Sequence, residues 1–129
     1  MRLHSLDLKT IQISDPFWSK HVDLVRNAII PYQWEALNDR LPDTEPSYAI
    51  ANFKTAAAIT SGELDQSKAK AEFHGCVFQD SDLAKWIEAS AFSLNWHPDE
   101  KLEKTIDDVI DLVCAAQQPD GYLDTYFII

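Results

Sequence analysis

Between His74 and Asp82 the chain reads His-Gly-Cys-Val-Phe-Gln-Asp-Ser-Asp, which places an imidazole, an aromatic ring, an amide and two carboxylates in one short stretch. Such a set can hold a neutral sugar: Phe78 offers a face for the sugar's C–H bonds, and His74, Gln79 and Asp80 offer donors and acceptors for its hydroxyls. The same residues also have a plainer reading. Asp80, Ser81 and Asp82 stand just before Leu83, where a helix N-terminus needs acceptors for its orphan N–H groups and negative charge near the positive end of its dipole. Capping accounts for the acids and leaves His74, Phe78 and Gln79 unexplained.

Paired carboxylates are the machinery of glycoside hydrolysis, but Asp80 and Asp82 are two residues apart and do not face one another on a helix. Asp120 and Asp124, on either side of Gly121-Tyr122-Leu123, read as turn and cap groups, and His21 and His97 as incidental. No residue of the chain is expected to be catalytic. Cys76 and Cys114 lie far apart, with no C-x-x-C and no histidine at ligand spacing, so neither a disulfide framework nor a complete zinc site can be read. Both are expected to be buried free thiols. There is no Gly-rich phosphate loop, no G-x-S-x-G elbow and no H-E-x-x-H.

The elements that must position the His74–Asp82 stretch are mostly helical. After it, Leu83, Trp86, Ile87, Ser90, Ala91 and Leu94 recur at helical spacing and form one face. His97-Pro98-Asp99-Glu100 punctuates the chain and starts a second helix, whose apolar positions are Leu102, Ile106, Val109, Ile110, Val113 and Cys114. Its charged positions, Lys101, Glu103, Lys104, Asp107, Asp108 and Asp111, are left for water. Pro119-Asp120-Gly121 then supplies a preset φ, an Asx side chain and a permissive glycine, which is a turn.

Upstream, Ser14-Asp15-Pro16 is a helix start, with Phe17, Val22, Val25 and Ile29 following at roughly helical spacing. Pro31 should end or kink that helix, and Tyr32–Leu37 should resume it. Leu41–Pro46 is a loop, Tyr48–Ile59 an Ala-rich helix stopped by Ser61-Gly62, and 63–71 an exposed polar connection with a helical turn. Leu6–Ile13 alternates well enough to predict a strand, although it has no partner within the sequence. Thr125–Ile129 is apolar and β-prone, unlike an ordinary polar terminus, so the sequence reads as cut inside a larger fold.

At 129 residues the chain has room for one domain's core, and its four Trp, six Phe and four Tyr argue against disorder. A formal charge of −10 excludes general binding to nucleic acid and to anionic membranes, since both need clustered Lys and Arg. No apolar run is long enough to span a bilayer, and Met1–Ser5 opens without a signal peptide's apolar core, so the expected location is cytoplasmic.

The blocks "IPYQWEALNDRLPD", "FHGCVFQDSDLAKWIEASAFSL" and "LEKTIDDVIDLVCAAQQPDGYLDTYF" together resemble the N-terminal part of glycoside hydrolase family 127, the β-L-arabinofuranosidase-like proteins, over nearly the whole chain and in order. The resemblance implies an all-α fold: helical hairpins forming the N-terminal part of an (α/α)6 barrel, with a short leading β-strand at 1–13 that joins a β-sandwich in longer relatives. Residues 14–129 would then be an incomplete catalytic domain. It also implies a cysteine nucleophile, a glutamate acid/base and a zinc site of Glu and Cys residues, all in the later barrel beyond Ile129, so zinc belongs to a full-length relative. Cys76 and Cys114 do not occupy that motif. The loop at Phe78, Gln79 and Asp80 matches a family segment facing the sugar pocket.

The function expected on this basis is that of an N-terminal fragment of a glycosidase for terminal L-arabinofuranose or a related sugar, inactive alone, with a carbohydrate as partner of the intact protein. Two other classes stand beside it. One is a small helical interaction protein that self-associates through exposed apolar barrel surface. The other is a different α/α-barrel carbohydrate-active enzyme, which the "YQWEALNDR" block disfavours.

Overall fold

The computed structural model describes residues 4, 6–69 and 72–129, and the regular structure among them is entirely helical. Seven α-helical segments follow in order: α1 (Pro16–Leu24), α2 (Ile30–Leu37), α3 (Ala49–Thr60), the single turn α4 (Gln66–Ala69), α5 (Asp80–Trp96), α6 (Glu100–Ala116) and the short α7 (Thr125–Ile128). Helix α1 starts as its sequence predicts. Pro16 occupies the first turn and the Asp15 carboxylate accepts from the N–H groups of Phe17 and Trp18 at 3.0 and 2.9 Å.

Pro31 neither ends the helix nor breaks it. Residues Val25–Ile29, just upstream, widen into a π-helical turn in which the N–H of Ile30 reaches back to the Val25 carbonyl. A π turn is one of the few ways a helix absorbs a proline that cannot donate to the preceding turn. Helix α2 then continues to Leu37.

Helices α2 and α5 run antiparallel, and Trp86 of α5 ties them together. Its ring stacks on Trp34 with centroids 4.7 Å apart, and its Nε1–H donates to the Ile30 carbonyl at 3.1 Å. Helices α5 and α6 form the second antiparallel pair, joined at His97–Asp99. There the Asp99 carboxylate accepts from the N–H groups of Lys101 and Leu102 at 3.0 and 3.1 Å. Helix α3 lies against α6. Ile50, Phe53, Ala56, Leu83, Trp86, Ile106, Val109 and Ala116 form the centre of one core. The Thr60 hydroxyl donates to the Ala116 carbonyl at 3.0 Å and accepts from Gln118 Nε2 at 2.6 Å, locking the ends of α3 and α6.

The apolar faces depart from the sequence reading at their edges. On α5, Ser93 joins Leu83, Trp86 and Ser90 inside, while Ala91 faces out. On α6, Ile106, Val109 and Ala116 are buried, and Ile110 and Cys114 turn to solvent. Cys76 is exposed too, so both thiols contradict the expectation of burial: Cys114 sits one position off the α6 stripe, and Cys76 lies in a loop.

The predicted strand at Leu6–Ile13 contains a helical turn, and the β-prone chain end is helical too. Leu8–Thr10 is a 3₁₀ turn in which the Asp7 carboxylate accepts from Lys9 N–H at 3.0 Å and the Asp7 carbonyl from Thr10 N–H at 2.9 Å. With no neighbouring strand among the described residues, the segment bonds its backbone locally and through Trp96, whose Nε1–H lies 3.2 and 2.9 Å from the Leu8 and Ile11 carbonyls. Met1–Leu3 and Ser5, also assigned to that strand, lie outside the described residues, as do 70–71 of the exposed connection. Of that connection, Ala69 is fully buried. The β-prone Thr125–Ile129 segment forms α7, because Asp124 caps it and the start of α5 holds its first residue.

Candidate functional site

The His74–Asp80 loop crosses the start of α3 and is fastened there through Asn52 and Ser47. Asn52, on the inner face of α3 and 1% exposed, grips the backbone of His74 from both sides: its Nδ2 donates to the His74 carbonyl at 2.8 Å and its Oδ1 faces the His74 N–H at 3.4 Å. A buried amide on an apolar helix face costs free energy unless paired, and this pairing satisfies both of its ends. Gly75 then turns the loop with φ +105°, where a Cβ would collide with the Gln79 side-chain amide. Gln79 fills that space. Its Oε1 accepts from the Cys76 N–H at 3.0 Å and its Nε2 donates to the Ser47 carbonyl in a short hydrogen bond.

Ser47 is itself fixed from behind. The Asp39 carboxylate, on a residue with φ +58°, accepts from the N–H groups of Ser47 and Tyr48 at 2.6 and 3.0 Å. Tyr48 is the residue before α3 and is also left-handed, at φ +57°. For a bulky side chain that backbone costs about 1–2 kcal/mol, and the Asp39 contacts hold it there. The conformation brings the Tyr48 ring onto the His74 imidazole, stacked at 4.6 Å with 27° between planes.

The four sequence-predicted site residues therefore divide. His74 is exposed and its ring is stacked on Tyr48, and Phe78, 68% exposed, projects from the loop. Gln79 and Asp80 spend their polar atoms on the protein. Both Asp80 carboxylate oxygens bind Thr125, one accepting from its N–H at 2.7 Å and the other from its hydroxyl at 2.6 Å. Asp80 thus does not cap α5, whose first residue it is: Gln79 precedes that helix without a side-chain cap. It holds the first turn of α7, together with Asp124, which accepts from Tyr126 N–H at 3.1 Å. Asp82 points outward to Lys85 at 3.4 Å.

The other singled-out acids are structural, as expected. Asp120 accepts from the Tyr122 N–H at 3.0 Å inside the Pro119–Gly121 turn, which the Gly121 N–H closes onto the Gln118 carbonyl at 2.8 Å. Among the described residues no three His, Cys, Asp or Glu side chains converge as a metal site would require. The residues present therefore do not fit the zinc centre that the family resemblance implies for longer relatives. The cleft between α2 and the α5–α6 corner, about 520 Å³, is lined by Trp34, Trp86, Arg26 and Lys101, and not by the loop residues.

Asp39, Ser47, Tyr48, Asn52 and Thr125 escaped the sequence reading. Asn52 alone left a signal, as a polar residue in register with Ala49, Phe53 and Ala56 on the buried side of α3.

Comparison with known proteins places this architecture. Residues 10–129 match the family model described as β-L-arabinofuranosidase, GH127 catalytic domain. The non-reducing end β-L-arabinofuranosidase of Bifidobacterium longum subsp. longum is 44% identical over 127 residues, an alignment covering 89% of this chain and 18% of that protein. Among solved structures, a GH127 β-L-arabinofuranosidase from Geobacillus stearothermophilus T6 superposes with a TM-score of 0.81 at 57% identity, covering 92% of this chain and 17% of that one. A second GH127 β-arabinofuranosidase gives 0.73 at 30% identity, covering 95% of this chain and again 17% of its own. The chain thus spans less than a fifth of the length of each of these relatives.

Proposed function

This chain belongs to the GH127 catalytic-domain family, and from that premise we propose that it supplies one wall of a pocket for terminal L-arabinofuranose or a related sugar without the groups that cleave the glycosidic bond. The observation that carries the reading is the loop itself: His74 and Phe78 are exposed on a loop that Asn52 fastens to α3 and Gln79 fastens to Ser47, which Asp39 holds in turn. A rigid loop that exposes an imidazole and an aromatic face suits a polyol, because little ordering is needed when the ligand arrives.

The chain's own acids support the second half of the proposal. Asp80 is occupied by Thr125, Asp99, Asp120 and Asp124 serve caps and turns, and Asp82 pairs with Lys85 at the surface. Each of these carboxylates is taken up by a partner within the protein. Zinc and the cysteine and glutamate expected of longer relatives lie outside this proposal's residues.

The test is hydrolysis of an aryl β-L-arabinofuranoside by the purified 129-residue chain, with and without added zinc. No release above buffer is expected. Turnover in either condition would overturn the assignment of the cleaving groups to other residues.

A further inference from the structure

The geometry points to Tyr48 as a further sugar-contacting residue, with Asp39 as the positioning residue that presents it. This rests on the sugar-wall reading and adds a donor, an aromatic face and a mechanism of preorganisation to it. Among the described residues, no hydrogen bond uses the Tyr48 phenol or either ring nitrogen of His74, whereas the side-chain amides of Asn52 and Gln79 and Oδ1 of Asp39 are engaged. Two stacked rings therefore carry unspent polar groups, and Phe78 of the same loop is exposed. A phenolic O–H and an imidazole together can donate to and accept from adjacent hydroxyls, which is the pattern a furanose diol offers.

The arrangement is costly to build. A tyrosine at φ +57° is strained, and strain of this kind persists only where neighbours over-determine it. The neighbour here is Asp39, which takes both the Ser47 and the Tyr48 N–H on one carboxylate oxygen. Asn52 fixes the other partner by holding the His74 backbone on both sides. Neither Asp39 nor Asn52 touches the sugar in this scheme. They set the separation and tilt of the two rings.

The experiment follows the His74 imidazole and the Tyr48 ring by ¹H–¹³C NMR in the 129-residue chain, then adds methyl β-L-arabinofuranoside, with glycerol at equal concentration as control. In the wild type, the His74 ring protons are expected upfield under the Tyr48 ring, and the glycoside should move signals of His74, Phe78 and Tyr48 where glycerol does not. Asp39→Ala should abolish the upfield displacement and the Tyr48 response. Asp39→Asn, which keeps an acceptor and tolerates the left-handed backbone, should restore both. Tyr48→Phe keeps the stack and removes the phenol, so it should retain the displacement while weakening the glycoside response; it also serves if Asp39→Ala does not fold. Glycoside responses at His74 and Phe78 but not at Tyr48, displacement retained in Asp39→Ala, or an undiminished response in Tyr48→Phe would each overturn this inference and leave the sugar wall standing. Absence of any glycoside response in the wild type would overturn the sugar wall, and this inference with it.

Discussion

Replacing Asp80 with alanine should cost this fold more than any other change in its acidic loop, and the cost can be estimated from two donors. Thr125 is fully buried, and its N–H and hydroxyl both end on the Asp80 carboxylate, at 2.7 and 2.6 Å. A hydrogen bond to a charged group contributes about 1.5–3 kcal/mol, so losing two bonds while both donors stay buried would cost about 3–6 kcal/mol. The chain has a way to limit that loss. Helix α7 is a single turn, and by swinging away it lets Thr125 reach water. Detachment forfeits the burial of Ile128 and Ile129, at about 1.5–3 kcal/mol for each side chain if wholly exposed. The two routes have similar ceilings, and partial relaxation brings the expected destabilisation to about 3 kcal/mol, a large share of the roughly 5–15 kcal/mol available to a domain. Urea unfolding measures it. Amide hydrogen exchange at 125–129 should accelerate well before the core of α3 and α6 does. Asp82→Ala is the internal control: its carboxylate makes one exposed ion pair, at 3.4 Å to Lys85, so its loss should cost at most about 0.5 kcal/mol. If Asp80→Ala were no more costly than Asp82→Ala, and left exchange at Thr125 unchanged, the clamp would be refuted and the Asp80 carboxylate would be available to a ligand.

The loop should be equally sensitive at Gly75, where φ is +105° and a Cβ meets the Gln79 amide. Gly75→Ala should destabilise by about 1–3 kcal/mol in urea and release the Cys76 and Ser47 backbone groups from Gln79, seen as faster exchange of the Cys76 N–H; an unchanged Cys76 amide would sink the assigned role of Gln79. At the surface, the Asp65 carboxyl titrates below the ordinary aspartate range, chiefly because the Ser67 hydroxyl donates to it at 2.7 Å and secondarily because the Ser67 N–H does so at 2.9 Å. A carboxylate whose pKa is depressed by folding contributes stability above its unfolded value that is lost as pH falls through the folded one, so the contribution persists at neutral pH and its pH dependence is confined to the acid side of the ordinary range. Ser67→Ala should move the Asp65 titration back up, as followed by carboxyl ¹³C NMR.

Helix starts and turns were legible in the sequence wherever one residue settles the backbone. Pro16 behind Asp15, Asp99 before Glu100, and Pro119-Asp120-Gly121 all do in the structure what their local chemistry dictates. The α5 and α6 faces were legible because period alone carries them, and they failed only at their rims, where Ile110, Cys114 and Ala91 turn outward. The terminal segments depart from their local propensity for one physical reason. Leu6–Ile13 and Thr125–Ile129 have β propensity, but propensity is weak against capping and tertiary contacts: Asp7 and Trp96 hold the first, Asp124 and Asp80 the second. Nothing local announces that Asp80 will meet a residue 45 positions away, or that Asp39 will hold Tyr48.

That separation explains how a single acidic, aromatic motif can be both scaffold and site. The cost of burying an unpaired donor forces polar groups near the core to seek partners in the protein, so residues close to the buried Leu83 in the first turn of α5 are conscripted first. Gln79 and Asp80 border Leu83 and the core, and every polar end of theirs is taken. His74 and Phe78 stand farther from it, and only the backbone of His74 is used. Accounting for hydrogen bonds thus sorts the motif in a way residue type cannot. The amide and the carboxylate, the obvious sugar ligands on paper, are the least available, and Tyr48, absent from the motif altogether, is placed with its phenol unspent. On the proposed reading, contact with a sugar is decided by what folding leaves free, and it is the rigidity supplied by the spent groups that lets the free ones act.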